Sequence, residues 1–310
     1  MADGSELVVK KAAELAPLPL SIARSALFSV APSGPSSKHR VIPTAKKGVN
    51  AAITYTGPHL SMEHFRLWQS LLFLADQRGQ LGGDEFEVSL SEVLRHMGKT
   101  YKDKELKQKV FDVLTELKAA VVTVTSDRVN YESNSLIDVA KLDLSSRMLT
   151  VRFGEAIAGK LLDREILRND IARSRELKRH HLAIWLHGFI SSQASRSDKK
   201  ETKHTFSVDE LRRLCGSQAK ERRHFCEDLG RALSRLKEGE KPLVTHWDWD
   251  DLRTKSKVIV TKSHTLVKLL EEAPGVARER ERAEQGKSRP AKPRFKTQGE
   301  INSPQGGLVL

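Results

Sequence analysis

The side chains of this 310-residue chain that could do chemistry are few, and their spacing argues against catalysis. A DNA-nicking enzyme needs a His-x-His metal pair and a nucleophilic tyrosine, because breaking a phosphodiester requires a polarised phosphate and a covalent acceptor. No His-x-His occurs, and Tyr55, Tyr101 and Tyr131 have no such partner. His180 and His181 are adjacent in the basic amphipathic run RELKRHHLAIWLHG, where neighbouring side chains diverge by about 100°. No glycine-rich Walker loop is present, so no ATP hydrolysis is expected. Cys215, His224, Cys226 and His246 are the residue types that bind zinc, but they form neither a Cys-x-x-Cys nor a His-x(3-5)-His pair, and burial as small apolar residues accounts for both cysteines. Asp248, Asp250 and Asp251 cluster where a hairpin turn is expected and read first as turn residues. The expectation is a non-enzymatic protein with no catalytic residue, metal or cofactor.

The chemistry that does stand out is charge. A formal net charge of +13 and a pI near 9.7 point to a polyanionic partner, with nucleic acid ahead of an anionic membrane surface. Hydrophobic residues make up 38% of the chain, enough for ordinary cores. No apolar run reaches the roughly 18 to 20 residues of a membrane span, and the N-terminus lacks the pattern of a secretory signal. Two cysteines indicate no disulfide framework and suggest a reducing cytoplasm.

The elements that would position this charge lie in residues 204 to 261. A strand-like piece, His204 to Val208, leads to Asp209 as a helix cap, a short helix, the turn Cys215-Gly216-Ser217, and a second helix from about Gln218 to Lys237. On a 3.6-residue period Phe225, Leu229, Ala232, Leu233 and Leu236 share one face, while Lys220, Arg223, Glu227, Arg231 and Ser234 lie on the other. The strand-like runs Leu243 to Trp249 and Ser256 to Thr261 follow, joined by a polar turn at residues 250 to 254. A charged amphipathic helix is ordinarily just a solvated surface helix. The glycine turn before it and the hairpin after it make the unit read as a winged helix-turn-helix, whose second helix fits the major groove and whose hairpin reaches flanking backbone. The expected DNA contacts are Gln218, Lys220, Arg223 and Glu227 at base edges, His224 and Arg231 nearer the backbone, and Arg222, Arg253 and Lys255 beside them.

The same pattern occurs earlier. SEVLRHMG at 91 to 98 aligns with DELRRLCG at 209 to 216, Val110, Val113, Leu114 and Leu117 take the places of Leu229, Ala232, Leu233 and Leu236, and Phe65 and Trp68 match Leu182 and Trp185. The expected fold is therefore α+β: two tandem winged helix-turn-helix domains, at 51–168 and 169–272, between a partly disordered N-terminal arm at 1–50 and a disordered basic tail at 273–310. In the first domain, Asp103 to Lys118 turns Lys104, Gln108, Phe111, Asp112 and Thr115 outward, a weakly charged face suited to protein or backbone contact; packing of Phe111 under a neighbouring helix is the alternative. A long hairpin, Ala120 to Ser126, Leu136 to Asp143 and Met148 to Phe153, would add edges for dimerisation. The run Ala51 to Gly57 reads as an edge strand, and Glu6 to Leu15 as a helix ended by Pro17 and Pro19.

ARSALF at 23 to 28, ITYTG at 53 to 57, TSDR at 125 to 128, ESNSLI at 132 to 137, and LRRLCGS through LSRLKEG in the second half resemble the TrfA family of plasmid replication initiators. The resemblance covers most of residues 20 to 255 and recurs in the same order. It implies a two-winged-helix protein that binds direct repeats (iterons) in an origin, helps open adjacent AT-rich DNA, recruits host helicase and initiator proteins, contributes to plasmid copy control and exchanges between monomer and dimer. Its partners would be double-stranded origin DNA and, once opened, single-stranded AT-rich DNA. Longer members of that family carry a glutamine-leucine-rich motif that binds the sliding clamp, and residues 1 to 22 have no clear counterpart. The alternatives are a transcriptional repressor of the same fold and a scaffold protein using winged helices for protein contact.

Overall fold

The computed structural model describes residues 14–32, 34, 37–42, 52–99, 104–126, 129–143, 145–155, 157–158, 166–193, 201–239 and 242–263. The basic tail, most of the expected helix at 6 to 15 and half of the linker at 31 to 48 lie outside them. Among the described residues helices and antiparallel sheets mix in an α+β arrangement. The first described elements are strand β1 (Leu15–Pro19) and a one-turn helix α1 (Leu20–Ala23). Leu15, expected to end a helix, thus opens a strand, which pairs antiparallel with β9 (Ile166–Asp170) from Leu15↔Asp170 to Pro19↔Ile166. A two-stranded ladder tolerates Pro17 and Pro19, whose missing N–H groups need not find a neighbour. Every residue of β1 is buried.

Residues 20 to 31 continue inward. Phe28 lies 5.3 Å from Phe65 and 5.6 Å from Trp68, both on α2 (Met62–Gln77), whose Ser61 cap accepts a hydrogen bond from the Glu63 amide at 3.3 Å. From the other side, Trp185 on α6 (His181–Ser191) donates to the Ser25 carbonyl at 3.3 Å. Residues 15 to 31 of the expected arm therefore belong to the core, because Leu18, Leu27 and Phe28 have apolar surface to bury on both sides.

The repeat seen in the sequence is built twice with one strand order. Strand β4 (Phe86–Ser89), helices α3 (Leu90–His96) and α4 (Lys104–Lys118), and hairpin β7 (Ile137–Asp143) with β8 (Met148–Phe153) form a sheet ordered β4-β8-β7. In the second half, β10 (Glu201–Ser207), α7 (Val208–Leu214), α8 (Arg222–Lys237), β11 (Val244–Trp249) and β12 (Lys257–Ser263) give β10-β12-β11. Ser89 and Ser207 cap α3 and α7 by accepting from the Glu92 and Glu210 amides at 3.2 and 3.4 Å. The cap is thus Ser207 and not Asp209, which stands in the first turn where a carboxylate suits the helix dipole. Gly98 (φ 71°) and Gly216 (φ 64°) both turn the chain through the left-handed region, as the helix-to-helix connection requires. After Gly216 the second helix starts at Arg222, four residues later than the periodicity suggested. Arg212 holds the intervening loop straight by donating to the Ala219 and Lys220 carbonyls.

The halves differ after α4. Strand β5 (Val121–Ser126), expected in the hairpin, joins β2 (Ser37–Ile42), β3 (Ala52–Gly57) and β6 (Val129–Ser135) in a separate sheet ordered β2-β3-β5-β6. The AITYTG strand is therefore interior and not an edge. Between β9 and α6 lies the short helix α5 (Ile171–Glu176).

Two buried titratable groups lie on α6 and at its end. His187 is 1% exposed and its imidazole is pushed down to about 3 by burial, and the Lys262 ammonium, itself lowered to about 8 by burial, donates to the Ser191 and Gln193 carbonyls at 2.9 and 2.7 Å, capping the end of α6. Since His187 stays neutral in the fold but protonates when unfolded, stability should fall as pH drops from about 6.5 towards 3. Urea unfolding across that window should show a flatter pH dependence for His187→Leu. The Gly216 turn offers a second test. A Cβ there would lie 2.7 Å from Ser29 Oγ, whereas one at Gly79, also left-handed (φ 69°), meets nothing within 4 Å. Gly79→Ala should cost about 1–2 kcal/mol from backbone conformation alone, and Gly216→Ala should cost more in the same unfolding assay, the difference measuring the contact with residue 29.

Candidate nucleic-acid interface

Helix α8 separates its faces as its period requires. Phe225, Cys226, Leu229, Ala232, Leu233 and Leu236 are buried, while the side chains of Arg223 and Arg231 are each 76% exposed and that of Glu227 52%. Arg223 approaches Glu227 at 3.8 Å and His224 approaches Glu221 at 3.9 Å; Arg231 pairs with Asp228. These are surface pairs one turn apart, worth a few tenths of a kcal/mol in water, so a phosphate or guanine can replace any of the three acids. No side chain caps the first turn of α8, and its amides add positive potential there. Gln218 and Lys220, expected on the helix, are exposed in the loop leading into it. They remain beside the N-terminal turn, though not in phase with Arg223.

The hairpin is tied to this helix by Arg222. Its guanidinium donates to Asp209 Oδ1 at 3.0 Å, the Thr254 carbonyl at 2.6 Å and the Lys255 carbonyl at 2.8 Å. A residue expected to meet DNA is thus engaged by α7 and the hairpin turn, because its position before the first buried residue of α8 points it across the sheet end. Arg253 is exposed in that turn, and the Lys255 ammonium lies 5.4 Å over the Trp249 ring. Trp249 meets Trp247 edge-on at 5.7 Å. Gly230 lets Trp247 approach, since a Cβ there would lie 3.2 Å from the indole. Along α8 and these tryptophans runs an open groove of about 950 Å³, bordered by Glu227, Arg231, Ser234, Trp247, Trp249 and Lys255.

The corresponding surface of the first half is different. Gln108 donates to Asp112 Oδ1 at 2.8 Å and Phe111 is 38% exposed, so Phe111 is not packed under a neighbour. The Lys104 side chain lies outside the described residues. Among the described side chains of α4, neither face gathers cations as α8 does. Among the described residues, no group of three or more His, Cys, Asp or Glu is placed to hold a metal, and no helix is long and apolar enough to cross a membrane. Cys215 is buried, its thiol pushed up to about 12 by burial. Spacing gave no hint of the Arg222 and Arg212 contacts, since their partners are carbonyls in turns.

Known proteins bear on this arrangement through structure alone. No family description matches the chain, and no curated protein does. The solved structure of selenomethionine-labelled domains 2 and 3 of RctB is similar, with TM-score 0.55, 15% identity, and coverage of 79% of this chain and 98% of that one. A second RctB structure of domains 2-3 gives 0.51 and 13%, covering 78% and 97%. The likeness covers more than three quarters of this chain and establishes a shared fold.

If Arg222 is the link between helix and hairpin, Arg222→Leu should free the turn at 250 to 255 at a cost of about 1–3 kcal/mol. Hydrogen exchange should then quicken in residues 250 to 257 while the amides of Leu229 to Leu236 keep their protection.

Proposed function

We propose that this chain is a non-enzymatic, sequence-specific DNA-binding replication initiator, that its two repeat units act as winged helices, and that α8 reads the major groove. The observation that carries this reading is the exposed row Arg223, Glu227 and Arg231 on a helix with an uncapped N-terminus, beside a hairpin that Arg222 holds in place. Initiation is favoured over other DNA-binding roles by the fold. RctB, whose domains 2 and 3 match 79% of this chain in structure, is a replication initiator of Vibrio chromosome II. The segments resembling the plasmid TrfA initiators add the finer proposal: direct repeats in a plasmid origin as the target, opening of adjacent AT-rich DNA, and recruitment of host helicase and initiator proteins from a monomer that also dimerises. The weakly charged outward face of α4 in the first half, with Phe111 on it, suits dimerisation or backbone contact. A repressor of its own promoter is the second reading.

Footprinting on DNA surrounding its own gene separates the two. An array of direct repeats beside AT-rich sequence supports initiation, and a single inverted repeat over a promoter supports repression. Within the cognate site, Arg223 is the residue expected to bond guanine O6 and N7 together. Arg223→Lys keeps the charge without the planar fork and should lose about ten- to a hundred-fold on cognate DNA, equivalent to roughly 1 to 3 kcal/mol, while binding random DNA nearly as before. Arg231→Ala should weaken both alike. A competition assay at fixed salt in which Arg223→Lys keeps its full cognate-to-random ratio would reassign the reading face.

A further inference from the structure

Leu252 stands at the tip of the β11–β12 turn and is 75% exposed, more than Val41 and Phe111, the other exposed large hydrophobics among the described residues. A lone surface leucine is common and by itself means nothing. The turn beneath this one is unusual in how completely it is fixed. Asp250 accepts from the Lys257 amide and the Ser256 hydroxyl, both at 2.8 Å. Asp251 accepts from the Arg253 amide at 2.8 Å and the Thr254 hydroxyl at 3.1 Å, and its carbonyl receives the Lys255 amide at 2.8 Å. Lys255 is held at φ 46°, a left-handed conformation that a non-glycine residue adopts only when its surroundings impose it. The Arg222 guanidinium then fastens the Thr254 and Lys255 carbonyls to the start of α8.

The consequence is a rigid tip that presents Leu252 instead of folding it back. Its charge is balanced, with Asp248, Asp250 and Asp251 against Arg253, Lys255 and Lys257, and the carboxylates of Asp250 and Asp251 are engaged by the turn's own donors. Such a tip offers little net attraction to phosphates. What it offers is an apolar wedge at a fixed distance from the reading helix.

We propose that Leu252 is a wedge that enters the minor groove of duplex DNA next to the segment read by α8 and partly unstacks one base step. This rests on the DNA-binding reading above. Apolar wedges enter at steps that open readily, and pyrimidine–purine steps such as TA are the most easily unstacked. A·T pairs also leave the minor groove clear of the guanine amino group. The wedge therefore selects a flexible A·T-rich step flanking the site, a preference that needs no hydrogen bond to a base.

The test uses the full chain and a duplex that it enriches from a randomised pool, with 2-aminopurine replacing adenine one position at a time. Binding of the unaltered protein should brighten 2-aminopurine at one flanking step. Leu252→Ala should lose that signal and bind about tenfold more weakly, with an unchanged slope of affinity against salt because no phosphate contact is lost. Leu252→Met should retain both. If Leu252→Ala keeps the signal and the affinity, the wedge is wrong and the DNA-binding reading stands. If affinity falls but the unaltered protein brightens no position, Leu252 contacts something other than a base step and the wedge is again wrong. A pool from which the protein enriches nothing defeats the DNA-binding reading and the wedge together.

Discussion

The fold depends on a short stretch of backbone held between the two repeats. Residues 25 to 30 lie against α2 on one side and against α6 and the α7–α8 turn on the other: Ser29 N donates to the Leu60 carbonyl at 2.8 Å, Val30 N to the Cys215 carbonyl at 2.9 Å, and Ser29 Oγ to the Gly216 carbonyl at 2.8 Å. A buried backbone group must find a partner, so this segment can be buried only if both repeats present carbonyls at matching places. Phe28 and Trp185 fill the space around it, and one hydrophobic cluster runs from Ala16 to Val260. The orientation of the two repeat units is thereby set by a segment that belongs to neither.

Further charged contacts join the same parts. Arg175 forks onto Glu14 at 2.6 and 3.0 Å, and His96 meets the same carboxylate at 3.2 Å; burial lowers the His96 imidazole, with Glu14 acting in the opposite sense. His96 occupies the place in α3 that Leu214 occupies in α7. One copy of the repeat thus uses an apolar residue where the other uses a titratable one facing the β1 strand. Arg168 pairs with Asp76 where both are nearly excluded from solvent, a pairing whose loss would strand a buried charge.

On α8, the sequence carries five basic residues against two acidic ones between Arg222 and Lys237. The structure divides these by task. Arg223 and Arg231 face water, Arg222 is committed to the hairpin, and Arg235 pairs with Glu238 at 3.0 Å. Helical phase alone could assign the first two. It could not assign Arg222, whose partners at Thr254 and Lys255 are more than thirty residues away.

The sequence by itself determined the repeat, the buried stripe from Phe225 to Leu236, the glycine turns and the hairpin, because each is a local pattern of period, cap or left-handed residue. It misplaced the cap at Asp209 and the start of α8, where several consecutive polar residues allow more than one boundary. Only the tertiary structure decided that β5 leaves the hairpin for a second sheet, that Leu15 to Pro19 is a strand, and that residues 20 to 31 are core. Each of these depends on a partner far along the chain: β3 for β5, β9 for β1, and α2 and α6 for Phe28. Strand pairing and burial between distant segments leave no periodic trace in the segment itself, which is why the arm looked like an appendage until its neighbours were in place.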